Sequence, residues 1–136
     1  MKSSQHNRLL SSRRGATVVE FAMTAPLVFL LLFGALELSH ANMVFNTTEA
    51  AAYEGARQGI VPGASAADCV TAAERILAIS RIRGATVSIT PPDLRTDTNT
   101  IIVSITVPYA DNTVVTPTFT RTLQISGACE LNREKL

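Results

Sequence analysis

The stretch RRGATVVEFAMTAPLVFLLLFGALEL, Arg13–Leu38, decides how the rest of the chain is read. Its centre, Phe21–Leu36, runs sixteen residues without a charge. Extended to Ala16–Leu38, it makes a helix of roughly 34 Å at 1.5 Å per residue. That is about the thickness of a bilayer core. Leu30-Leu31-Leu32-Phe33 is apolar on every side of a helix, a pattern that the core of so small a soluble domain does not require.

Charge is distributed to match. The 136 residues carry a formal net charge of +1, which argues against a nucleic-acid footprint. Residues 1–15 hold Lys2, Arg8, Arg13 and Arg14 and no acid, leaving eight basic and eleven acidic side chains beyond Gly15. Basic residues before an apolar run and none soon after it place the N-terminus in the cytoplasm and the C-terminal part outside. The expected location is a membrane, with the C-terminal domain on its outer side.

Three fates are open for this segment. It is a secretory signal cut near Ser39-His40-Ala41, a permanent anchor, or a helix cut on its cytoplasmic side at Gly15. Arg13-Arg14 also invites a twin-arginine reading, which the small residues Gly15-Ala16 weaken. Glu20 favours the cut at Gly15. A carboxylate at the edge of a membrane segment costs about 3 kcal/mol when left unpaired, and a discarded signal has no use for it. After such a cut, Ala16 is a cationic N-terminus about one helical turn from Glu20. Pairing with the amine of a neighbouring subunit would fix the axial register, since other staggers leave a buried charge alone. The plainer reading puts Glu20 at headgroup level, where the helix dipole favours it.

Gly15, then Glu20, then an apolar helix resembles the cleavage region of type IV prepilins. Residues 13–39 as a whole resemble the opening of TadE-like proteins of the tight-adherence (Flp) pilus system. That opening has an Arg-Gly start, Glu-Phe-Ala, a proline followed by leucines, then Gly and Glu. Ala50-Ala51-Ala52-Tyr53-Glu54-Gly55-Ala56-Arg57 resembles the same family's Ala-Ala-Arg-Glu-Gly-Ala-Arg segment, with Tyr53 where arginine is common. His40 departs from the family pattern too. The resemblance covers residues 13–60 well and the remainder in outline. It implies a non-enzymatic, minor pilin-like subunit, cut by a prepilin peptidase between Gly15 and Ala16, and partnered by other pilin-like subunits and pilus assembly proteins. Glu37, Glu54, Gly55 and Arg57 stand at its motif positions.

The residues beyond the apolar run predict an α+β domain. The expected organisation is a basic leader (1–15), a transmembrane helix (16–41), a helical extension (42–61) and a small extracytoplasmic domain (62–136). Pro26 is a flex point or a tolerated kink in the membrane helix. In the extension, Phe45, Ala52, Ala56 and Gly59 share a stripe, and Glu54 and Arg57 are spaced to pair. Gly55 costs about 1 kcal/mol inside a helix, which hints at another backbone close by. Ser65 and Asp68 predict a capped second helix to about Ser80, with Cys69, Ala73, Ile76, Leu77 and Ser80 on its buried face. Alternating strands are expected at Ala85–Thr90, Ile101–Val107 and Phe119–Ile125, forming an antiparallel sheet covered by the second helix. Strand parity puts Cys129 on the covered face unless Gly127 makes a bulge. A Cys69–Cys129 disulfide is then expected, closing a loop of about 60 residues for roughly 4 kcal/mol in the chain-entropy model.

Catalytic signatures are missing. Glu20 and Glu37 would lie about 25 Å apart along a helix, too far to act as an acid/base pair. No zinc, phosphate-loop or nucleophile-elbow motif occurs, so no cofactor is expected. Asp93, Asp97 and Asp111 read as solvated turn acids rather than a calcium site, and Asn46-Thr47-Thr48 matches a glycosylation sequon that arises easily by chance. The alternative to a pilin-like subunit is a signal-anchored periplasmic binding module whose working part is the sheet domain.

Overall fold

The computed structural model describes residues 4–94, 99–113, 120 and 122–133, with side chains described from Gly15 onward. The elements run α1 (Ser4–Gly59), α2 (Ala66–Ile79), β1 (Thr86–Thr90), β2 (Thr100–Pro108), a 3-10 turn (Tyr109–Asn112) and β3 (Gln124–Asn132). The chain divides into two compact units, Met1–Leu36 and Glu37–Leu136, and α1 contributes to both. The α+β class expected from the sequence is observed.

In the first unit α1 continues through Pro26. Proline lacks an N–H, so the Ala22 carbonyl loses its usual helical donor. Nearby, the Thr24 hydroxyl donates to Glu20 O at 2.9 Å and to Phe21 O at 3.3 Å. The large apolar side chains find little cover within the chain: Phe21 is 69% exposed, Leu31 66% and Phe33 52%.

The second unit is built on a three-stranded antiparallel sheet of order β1-β2-β3. Thr86 pairs with Thr106, and Thr106 with Ser126; Ile89 pairs with Val103, and Val103 with Cys129. Alternation sorts the two faces. Ile101, Val103, Ile105 and Val107 are fully buried on one side. On the other, Thr86, Ser88, Thr106, Ser126 and Ala128 face water. No bulge occurs at Gly127, so Cys129 keeps the parity expected of it.

The sheet's cover departs from the expectation. The second helix was assigned this role and does pack on the sheet at β1, but it shares the cover with the outer half of α1, which lies over β2 and β3. Its buried stripe is Ala41, Val44, Thr48, Ala51, Ala52, Gly55, Ala56 and Gly59, a spacing of threes and fours that keeps one helical face inward. Val44 fills the position expected of Phe45, which is 38% exposed. Small residues let the backbones meet. A Cβ on Gly127 would lie 3.0 Å from Glu49 N and 3.1 Å from Thr48 C, both backbone atoms. A Cβ on Gly55 would lie 3.1 Å from Cys69 O and 3.3 Å from both Ala73 Cβ and Val103 Cγ1. The close approach hinted at by Gly55 is therefore real, and it joins α1 to α2 and β2 together. Thr48, the one buried polar side chain of the core among the described residues, donates to Val44 O at 2.8 Å.

With α1 over the sheet, the expected disulfide is not formed. Cys69 and Cys129 are both free thiols. The pairing presumed that α2 lay over β3. Instead, Cys69 directs its sulfur toward Ser65 O, 3.4 Å away, and against Gly59 of α1. Cys129 lies opposite Val103 in the β2–β3 ladder. Burial pushes both thiols above their ordinary pKa, with the Asp68 charge adding to the effect at Cys69, so both stay protonated at neutral pH.

Helix α2 begins as its sequence dictates. Asp68 N donates to Ser65 Oγ at 3.3 Å, and Ser65 N donates to Asp68 Oδ2 at 2.8 Å, closing a capping box. Of its expected face, Cys69, Ala73 and Leu77 are buried, Ile76 is half-buried and Ser80 is exposed. Ser65→Ala is expected to cost about 1 kcal/mol of stability, read as a lowered melting temperature. Hydrogen bonds from the Ser65 hydroxyl and backbone hold the Asp68 carboxyl below its usual value. Its contribution is thus full above the ordinary carboxylate pKa and fades as pH falls through the lowered one. In Ser65→Ala, acidification should remove less stability than in the parent.

The third strand begins later than the alternation implied. It starts at Gln124, and Leu123 precedes it with a carbonyl that accepts from Tyr109 N at 3.0 Å. Leu123, assigned to the covered face, is 41% exposed. Phe119, the expected start of that strand, and Asp97 lie outside the described residues.

Candidate assembly site

The residues singled out by the sequence lie along α1 and fall into three groups. The first is Gly15, Ala16 and Glu20, all exposed on the helix. Nothing stands within 4 Å of the position a Gly15 Cβ would take. Pro26 follows two helical turns later, also exposed.

The second group is centred on Glu37, whose role in the fold was not legible in the sequence. The buried Tyr109, 1% exposed, donates its hydroxyl hydrogen to Glu37 O at 2.9 Å and stands 3.4 Å from His40 Nδ1. The Glu37 carboxylate accepts from Thr120 N at 3.0 Å and from the Thr120 hydroxyl. Glu37 therefore ties the chain entering β3 to the start of the second unit's helix. His40, which departs from the family pattern, lies tilted against the Tyr109 ring with centroids 6.0 Å apart. Burial and the Glu37 charge raise the Tyr109 pKa and keep its hydroxyl protonated. Tyr109→Phe keeps the ring and removes the donor. It is expected to cost about 1–2 kcal/mol and to speed amide exchange around residues 120–125, read by hydrogen exchange.

The third group is Glu54, Gly55 and Arg57. The Arg57 guanidinium forks onto Glu54, Nε to Oε2 at 2.9 Å and Nη2 to Oε1 at 2.7 Å. This pairing lowers the Glu54 pKa and raises that of Arg57. The guanidinium is largely solvated, and pairs of this kind contribute little to stability. Gly55 is the spacer that lets this turn of α1 press on α2 and β2 while the charged pair faces out.

Among the described residues, no three His, Cys, Asp or Glu side chains gather as a metal site. One helix is long and apolar enough to cross a membrane, with a mean hydropathy of 2.1 in its most apolar window and none of that window buried in the chain. These properties fit an N-terminal membrane anchor.

Comparison with protein families places all three groups in one match. The family model described as TadE-like protein matches residues 15–57, from Gly15 through Glu20, Pro26 and Glu37 to Arg57. The resemblance read from the sequence is shown over that stretch, about a third of the chain. No curated protein and no solved structure matches.

Proposed function

We propose that this protein is a minor pilin-like subunit required for assembly of a tight-adherence pilus, and that it is a structural protein rather than an enzyme. It is made as a precursor in the bacterial inner membrane, with residues 1–15 in the cytoplasm and the sheet domain outside. A prepilin peptidase cuts between Gly15 and Ala16. Glu20 then pairs with the new N-terminal amine of a neighbouring subunit and sets the register of the assembled helices. The observation that carries this reading is the single family match that takes in Gly15, Glu20, the apolar run and the Glu54-Gly55-Ala56-Arg57 turn. The exposed apolar side chains of the first unit support it, because they require bilayer or neighbouring helices to cover them.

One observation favours a second reading, a signal-anchored periplasmic interaction module. The unit Glu37–Leu136 has its own core. Replacing residues 1–36 with an unrelated membrane anchor separates the two. The pilus reading predicts a folded, membrane-held domain and no pili. Normal pili from the chimaera would leave the domain as the working part and overturn the role given to residues 15–36.

A further inference from the structure

The corner that follows α2 uses residues the fold does not require. Helix α2 ends with Arg81 N donating to Ala78 O at 3.0 Å and Ile82 N donating to Leu77 O at 2.9 Å. This is the Schellman arrangement, whose left-handed position normally goes to glycine. Here it is held by Arg81, at φ +56°. Ile79 beside it is 73% exposed, and Arg83 is exposed as well. Neither guanidinium has an ion-pair partner among the described residues.

The neighbours of this corner locate it. Arg81 and Arg83 line one shallow groove with His40 and Met43. On α1, His40 is two residues past Leu38 and Met43 is five past it, about 3 Å and 8 Å along the helix. The headgroup layer is roughly 5–8 Å deep on each side of a bilayer. Whatever shares a groove with His40 and Met43 therefore lies at the end of the outer unit where the chain enters it, the end nearest the lipid headgroups if α1 is the membrane anchor proposed above. Asp111 also lines the groove, against two arginines. A carboxylate there reduces the positive charge without cancelling it.

We propose that residues 79–83 form an interfacial contact for anionic phospholipid. Arg81 and Arg83 take the headgroup phosphate, and Ile79 enters the acyl boundary. Guanidinium groups suit phosphate oxygens because their paired N–H donors match the spacing of the acceptors. An exposed apolar side chain flanked by arginines is the composition that interfacial anchors use. The dipole of α2 would also favour a cation past its C-terminus, but it requires neither Ile79 nor a second arginine.

The test uses the full chain in nanodiscs of equimolar phosphatidylglycerol and phosphatidylcholine, with the lipids retained on the protein counted by native mass spectrometry. Phosphatidylglycerol should be enriched several-fold. The Arg81→Gly/Arg83→Gln variant should lose a clear part of that enrichment, keeping only what the basic leader with Lys2, Arg8, Arg13 and Arg14 holds, while Arg81→Lys/Arg83→Lys keeps most of the parent's preference. Arg81→Gly alone should melt no lower than the parent, because glycine relieves the left-handed position. Equal retention by the parent, or a preference as large in the Gly/Gln variant as in the parent, overturns the contact. Loss of the preference on adding millimolar inorganic phosphate would mean a free-anion site and would also overturn it. A chain that inserts yet shows no preference contradicts this contact alone, whereas a chain that fails to enter discs contradicts the membrane anchor as well.

Discussion

Gly127→Ala should destabilise the outer unit by about 3 kcal/mol, near the top of the usual range for overpacking a core. The added methyl would stand 3.0 Å from Glu49 N, 3.1 Å from Thr48 C and 3.2 Å from Glu49 Cα. All three are backbone atoms of α1, so no rotamer change can make room. The helix must lift from β3, and the contacts of Thr48, Ala51 and Ala52 loosen with it. Alanine does restrict the unfolded chain, which returns roughly 0.4–1 kcal/mol, but this is the smaller effect. For a unit of this size the melting temperature should fall by about 10 °C or more. Gly59 provides the internal comparison. Its missing Cβ would lie 2.8 Å from Cys69 Sγ and 2.9 Å from Ile101 Cδ1, the ends of side chains. Gly59→Ala should therefore cost clearly less than Gly127→Ala. Circular-dichroism melts of the two variants in detergent measure the difference, and equal losses would contradict the backbone-on-backbone packing of α1 against β3.

Glu20→Ala is expected to abolish pilus assembly while leaving the protein folded and in the membrane. Removing the carboxylate makes insertion easier, since an unpaired charge there costs about 3 kcal/mol. The outer unit does not include it. In the proposed assembly, what is lost is the charge that would pair with the next subunit's amine and penalise wrong staggers. Glu20→Asp keeps the charge on a shorter arm and should assemble partially. Immunoblots of the membrane fraction and of sheared filaments separate the two effects. Normal filament yield from Glu20→Ala would reduce Glu20 to a headgroup-level carboxylate.

These two glycine and glutamate positions also mark how far the sequence could be read. Ser65 and Asp68, three residues apart, specified a local capping box that needs no tertiary context, and it is present. Alternation along Ile101–Val107 gave the strand and its buried face, because period-two patterning is enforced wherever one face is covered. The identity of the cover was harder to read. The inward stripe of α1 is made largely of alanine and glycine, which carry little hydrophobic contrast, and the larger Phe45 drew attention away from Val44. Gly127 was visible as an exception within a strand. Such a glycine marks a bulge or a close backbone approach, and the structure selects the approach. Glu37 and Tyr109 are 72 residues apart in sequence, and no local pattern links them. The free cysteines follow from the same cause, since their pairing depended on which helix lay over β3.

The most direct test of the pilin-like account is the N-terminal sequence of the mature, membrane-extracted protein. The account predicts a start at Ala16, which would establish cutting on the cytoplasmic side and give Glu20 a neighbouring amine to meet. A start near Asn42 would mean a discarded export signal, and an intact Met1 would mean a simple anchor. Either would contradict the account.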